Sequence, residues 1–150
     1  MHDMVSYQDV IESYVAESCA CHKVRMAARG VTRAYDDALR PVGLRATQLA
    51  VLVAIAVEDA MSITALAKFM IMDRSTLTRN LRPLEEEGLV AVGLEGWRRS
   101  RTLEVTEKGR SRLGEALPLW KQAQETLRRK LGEQSWVNID SDLDQLIRAA

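Results

Sequence analysis

Histidine, cysteine, glycine and aromatic side chains are all scarce in this 150-residue sequence, and each scarcity closes off a class of function. The only histidines are His2 and His22 and the only cysteines are Cys19 and Cys21, which leaves no paired His/Cys set at metal-ligand spacing. There is no Gly-rich phosphate loop and no nucleophile elbow, so neither catalysis nor a cofactor is expected. Cys19-Ala20-Cys21 would suit a thiol oxidoreductase only inside a βαβ unit, and no such context surrounds it. On a helix, side chains two apart diverge by roughly 200°, so a structural disulfide between the two is not expected and a reducing cytoplasm is the natural compartment. An apolar run of 18 residues is also missing, and Met1 to Asp9 lacks a basic segment followed by an apolar one, so neither export nor a membrane partner is expected. Charge of one sign is absent too. The 21 basic and 21 acidic residues cancel, and any affinity for nucleic acid has to come from where the charges lie.

What is present is apolar and helix-forming: 47% hydrophobic and 28% charged residues with three prolines, the composition of a helix-rich globular chain. From Tyr7 to Arg40 apolar residues recur at helical spacing, which predicts one long helix, broken near Ser18 and ended by Pro41-Val42-Gly43. A second helix, about Ala46 to Val57, is apolar on nearly every face and is expected in the core. Ser62 is an N-cap for a short amphipathic helix, and Asp73 an N-cap for another over Arg74 to Glu87, closed by Gly88. Two helices so closely joined make a helix-turn-helix unit. Period two then replaces period 3.6 in Leu89-Val90-Ala91-Val92 and Thr102-Leu103-Glu104-Val105, a hairpin around the basic loop Glu95 to Arg101. A helix capped by Thr106 is expected to Leu131, bent or interrupted at Pro118. After Gly132 a last amphipathic helix carries Trp136, Ile139, Leu143, Leu146 and Ile147. The expected fold is mainly α with a small β-hairpin wing.

On a wheel at 100° per residue, Leu77, Leu81 and Leu84 share one face of the 74–87 helix, and Ser75, Thr76, Arg79, Arg82 and Glu86 the other. Pro83 lies inside it and predicts a bend. One side anchored and one side polar is the division a DNA-recognition helix needs: arginine suits guanine edges and phosphates, serine and threonine suit base edges or phosphate oxygens. Arg98, Arg99 and Arg101 cluster at the hairpin tip, within reach of phosphates or a minor groove. The candidate DNA-contacting residues are therefore Arg74, Ser75, Thr76, Thr78, Arg79, Arg82, Arg98, Arg99 and Arg101. Taken singly, exposed arginines are ordinarily a solvated face. Their succession in one chain with a tight turn, a glycine stop and a basic hairpin points to a winged helix-turn-helix.

These segments resemble the MarR family of transcriptional regulators, in Asp73-Arg74-Ser75-Thr76-Leu77-Thr78-Arg79, Leu84 to Val90, Arg98-Arg99-Ser100-Arg101 and Leu103 to Gly109. Family members usually carry aspartate where this chain has Trp97. The resemblance implies a homodimer with two winged modules on a pseudo-palindromic double-stranded operator. It also implies repression relieved by a small phenolic or aromatic ligand, or by an oxidant. Residues 1–44 and 107–150 would supply the dimerisation helices and 45–106 the winged module, in one integrated domain. A ligand could be lined by Met26, Tyr35 and Trp120, which otherwise are plain core. Cys21 falls where the hydroperoxide-sensing branch of the family keeps its reactive cysteine. Cys19 stands nearby and Tyr35 matches a supporting tyrosine, although Arg25 and Ala46 replace two others. The alternative for the cysteines is packing in a helical dimer interface. The alternative for the whole chain is a winged helix that binds protein instead of DNA.

Overall fold

Single residues set where the helices of this protein start and stop. The computed structural model describes residues 6–11, 18–58, 61–93 and 102–149. The chain falls into two units, residues 1–34 and 35–150. Its helices are α1 (Tyr7–Val10), α2 (Ala20–Leu39), α3 (Ala46–Val57), α4 (Ile63–Phe69), α5 (Arg74–Glu86), α6 (Glu107–Leu131) and α7 (Glu133–Ala149). Three short strands are β1 (Met61–Ser62), β2 (Val90–Val92) and β3 (Thr102–Val105). Among the described residues no single helix is long and apolar enough to cross a membrane.

The expected caps form as side-chain bonds to orphan amides: Ala65 N–H to Ser62 Oγ at 3.1 Å, Thr76 N–H to Asp73 Oδ1 at 2.8 Å, and Gly109 N–H to Thr106 Oγ1 at 3.0 Å. Pro41 ends α2, and Arg40–Val42 continues as a single 3-10 turn. Asp36 reaches across ten residues to accept from the Ala46 amide at 2.7 Å, tying the start of α3 to the end of α2. The stops of α4 and α5 are Schellman turns. Met72 N–H bonds to Ala67 C=O and Ile71 N–H to Lys68 C=O; Leu89 N–H bonds to Leu84 C=O and Gly88 N–H to Glu85 C=O. Gly88 takes the required left-handed backbone at φ 69° without cost, whereas at the equivalent place after α4 the β-branched Ile71 is held at φ 51°.

Two expectations need correcting. The final long helix is not interrupted at Pro118: α6 is continuous from Glu107 to Leu131. Gly114, whose carbonyl loses its partner, and Pro118 both lie on the exposed side, where water can take the freed bond. Nor is α3 wholly interior. Leu49, Val51, Leu52, Ala54 and Ile55 are buried, but Val53 and Val57 are exposed, because a module of this size can cover only one side of a central helix. The wing also has a third strand. The sheet order is β1-β3-β2, antiparallel throughout, with Val90 opposite Val105, Val92 opposite Leu103, and Met61 opposite Leu103.

The core of the second unit is aliphatic, centred on Leu52, Leu66, Leu77, Leu81, Leu84 and Leu103, with α3 packing on α5, β3 and α6, and α4 on α5. Behind α4 and α5, α6 approaches the exit of α5 so closely that a Cβ on the buried Gly109 would lie 2.1 Å from the Leu89 carbonyl oxygen and 2.7 Å from Val105 Cγ1. Gly109→Ala is therefore expected to lower unfolding free energy by roughly 3 kcal/mol. Gly114→Ala, in the same helix with nothing within 4 Å, should instead raise it by about 0.5 to 1 kcal/mol. Chemical denaturation of the two variants distinguishes these opposite signs. By the same measurement Ile71→Asn, which accepts the left-handed backbone more readily, should stabilise by about 1 kcal/mol.

Candidate nucleic-acid interface

The rotation of α5 about its own axis is set by leucine. Leu77, Leu81 and Leu84 are at most 1% exposed, and they lock one face of the helix against α3, α4 and β2. The opposite side carries Ser75, Arg79, Arg82 and Glu86 at i, i+4, i+7 and i+11, all exposed, with Arg74 and Thr78 flanking them and Thr76 half-buried. The six α5 residues singled out from sequence thus share one helix, and its polar stripe faces away from the core.

Asp73 organises the first turn. Its carboxylate caps the Thr76 amide and accepts from the Ser75 hydroxyl at 2.5 Å and the Thr76 hydroxyl at 2.6 Å. The Ser75 hydroxyl, then the Thr76 hydroxyl and amide, hold the Asp73 carboxyl well below the usual carboxylate range. Thr76 Oγ1 in turn accepts from Arg79 Nη2 at 3.2 Å, so the carboxylate orients the arginine through one intervening hydroxyl. Further along, Arg82 Nε donates to Glu86 Oε1 at 2.7 Å, and this carboxylate holds the guanidinium above its ordinary pKa. Thr78 is exposed, its hydroxyl donating back to the Arg74 carbonyl of the same helix at 2.8 Å. Asp73 and Glu86 were not among the residues expected to matter for contact. Their signals were present as the N-cap and as a carboxylate four residues after an arginine on the same face.

The wing arginines Arg98, Arg99 and Arg101 lie outside the described residues. The strands leading to them are paired as far as the Gly93 N–H bond to Thr102 C=O at 2.8 Å. Cys19 and Cys21 are both free thiols, Cys19 half-buried and Cys21 exposed. Cys19 precedes the first residue of α2, where its carbonyl accepts the Lys23 amide. Met26 is exposed on α2 in the first unit. In the second unit, Tyr35 is half-buried and its hydroxyl donates to the Gln124 side-chain oxygen, burial pushing the phenol pKa up. Trp120, one turn before Gln124, is on the same side of α6 and 37% exposed.

The family model described as MarR family matches residues 44–92, from just before α3 to the end of β2. Among solved structures, the Mycobacterium tuberculosis transcriptional regulator MosR in complex with DNA is 38% identical, with a TM-score of 0.79 over 87% of this chain and 95% of that one. Bordetella bronchiseptica BpsR, whose DNA binding is regulated by 6-hydroxynicotinic acid, is 23% identical, with a TM-score of 0.78 over 87% of this chain and 95% of that one. The Staphylococcus aureus MepR–DNA complex is 18% identical, with a TM-score of 0.76 over 89% of this chain and all of that one. Among curated protein sequences none matches the chain.

The Asp73 network makes a prediction about acid. A carboxyl held below its unfolded pKa of about 3.9 stabilises the native state above that pH, and loses the contribution progressively as pH falls through the depressed native value. In carbon-detected NMR titration the Asp73 carboxyl should still be ionised well below about pH 3.9, where an unperturbed aspartate is already protonating. Ser75→Ala should move its midpoint up, and Thr76→Val should do so too. A midpoint at the ordinary aspartate value in the wild-type chain would show that the hydroxyls do not hold the carboxylate.

Proposed function

The chain belongs to the MarR family, and on that premise we propose that it is a sequence-specific regulator of transcription that binds double-stranded DNA as a homodimer on a pseudo-palindromic operator. The observation that carries this reading is the α5 stripe. A helix whose apolar side is fully buried offers Arg79 and Arg74 outward, in a chain 38% identical to a regulator solved with DNA. Residues 45–106 act as the winged DNA-binding module, α5 entering the major groove and Arg98, Arg99 and Arg101 contacting backbone or minor groove. Residues 1–44 and 107–150 supply the dimerisation helices. The apolar side chains exposed on α7, Val137, Ile139, Leu143, Leu146 and Ile147, favour this role, since a lone chain leaves them in water.

The protein acts as a repressor released by a small phenolic or aromatic ligand. Tyr35 and Trp120 favour such a site, because both are associated with one side of α6 and Tyr35 offers a polar atom beside an aromatic ring. A second reading rests on the free and exposed Cys21, with Lys23 and Arg25 following it in α2. An organic hydroperoxide would oxidise its thiol to a sulfenic acid and leave as the alcohol, and operator affinity would fall. Titration of the DNA complex with a hydroperoxide separates the two: release that disappears in Cys21→Ser supports the thiol, and release by a phenolic ligand alone supports the pocket.

In salt-dependent binding assays on an operator selected from random duplex DNA, Arg79→Ala should weaken specific binding by about 1 to 3 kcal/mol and relax one base position. Arg99→Ala should lower affinity about equally across sequences and reduce the salt slope by about one charge. A chain that forms no salt-dependent complex with any duplex would instead be a protein-binding winged helix.

A further inference from the structure

The polar atoms along the exposed side of α5 are not interchangeable, because one carboxylate dictates which way their protons point. An ionised carboxylate has no proton to give, so the hydroxyls of Ser75 and Thr76, 2.5 and 2.6 Å from the two Asp73 oxygens, must both donate to it. Those same bonds keep the carboxyl ionised. Thr76 then accepts from Arg79, which commits one of the two hydroxyl lone pairs inside the protein, and Thr76 is half-buried. Ser75 is different. It is exposed, its proton is committed to Asp73, and what it turns outward is lone pairs only.

We propose that Ser75 is a specificity-determining residue that acts as a hydrogen-bond acceptor, taking the exocyclic amino group of an adenine or cytosine in the major groove. This deepens the DNA-binding reading above and rests on it. A hydroxyl without a free proton cannot bond phosphate oxygens, guanine O6 or N7, or thymine O4, all of which are acceptors; the adenine N6 and cytosine N4 amino groups are the donors the major groove offers. Ser75 therefore reads a base and does not anchor the backbone. Arg79 lies one helical turn away, about 6 Å along the axis, the span of roughly two base-pair steps, and its donors suit a guanine nearby on the same site. Asp73 is the positioning residue: it touches no base and sets the polarity of the hydroxyl that does. Serine in this position without the carboxylate would rotate its proton to suit either donor or acceptor, and would discriminate little.

The test uses the full chain and an operator selected from random duplex DNA. Each major-groove amino group of that operator is removed in turn, with purine replacing adenine and 2-pyrimidinone replacing cytosine. One such replacement is expected to weaken binding of the wild-type chain about 10-fold and to cost Ser75→Ala nothing further. Asp73→Asn retains an oxygen to cap the helix but offers one acceptor where the carboxylate offered two, so a hydroxyl is released. It should stay folded by circular dichroism and lose its base preference at that same position. If every amino-group deletion costs Ser75→Ala as much as it costs the wild-type chain, the acceptor role is overturned while the DNA-binding reading stands. If the pool yields no bound duplex, both fall together.

Discussion

Burial of three leucines on one side of α5 is the constraint from which the rest of the interface follows. Each fully buried leucine contributes about 1.5 to 3 kcal/mol, far more than any of the exposed hydrogen bonds and ion pairs on the opposite side of the helix, where a pair is worth about 1 kcal/mol or less. The energetics are therefore one-sided. Leu77, Leu81 and Leu84 decide how the helix is rolled, and the polar residues accept the orientation that results. A slip of one residue in that roll would carry Arg79 or Arg82 toward the core with no buried partner waiting there, which is a cost of several kcal/mol. Nothing polar needs to hold the recognition surface outward.

The end of α5 is anchored as well as its side. The Thr106 hydroxyl and amide donate to the carbonyls of Gly88 and Leu89, Lys108 Nζ donates to the Glu87 carbonyl at 2.6 Å, and Arg112 Nη1 reaches both Val42 C=O at 2.9 Å and the Glu87 carboxylate at 3.4 Å. Thr106 and Lys108, at the start of α6, thus satisfy carbonyls at and just beyond the end of α5, and Arg112 adds a bond to the Glu87 side chain. Gly109 is the condition for this. Only without a Cβ can the first turn of α6 lie against Leu89 closely enough for these donors to reach. Helix α5 is consequently fixed along its buried side by apolar contact and at its C-terminal end by hydrogen bonds, while in its N-terminal turn hydrogen bonds run to Asp73.

Much of this was legible in the sequence because the signals were local. The caps at Ser62, Asp73 and Thr106, the stop at Gly88 and the leucine spacing in α5 each depend on residues within one or two turns of each other. The features that escaped are of another kind. A two-residue strand at Met61–Ser62 is too short to show a period, and its existence depends on β3, forty residues later. Ile71 in a left-handed backbone contradicts its own propensity, and only the tight connection between two helices imposes it. Arg112 finds partners 70 and 25 residues away, which no spacing rule anticipates. Asp73 was read correctly as a cap, but its hold on two hydroxyls and, through one of them, on an arginine became visible only once side-chain distances were known. Pro118 does not interrupt α6, because it and the Gly114 carbonyl lie on the exposed side of the helix.

The Arg82–Glu86 pair has a consequence for how such a regulator would find its site. In the proposed complex every phosphate repels Glu86, and Arg82 arrives already half-neutralised by it, so this end of the helix gains little from DNA of arbitrary sequence. Together with a formal net charge of zero, that would weaken the hold on non-cognate duplex. Affinity is surrendered uniformly and regained only where base edges can compensate the carboxylate. Such a complex would spend less time on the wrong sequence, and its search would be quickened by the very acidic side chain that a DNA-binding surface would be expected to lack.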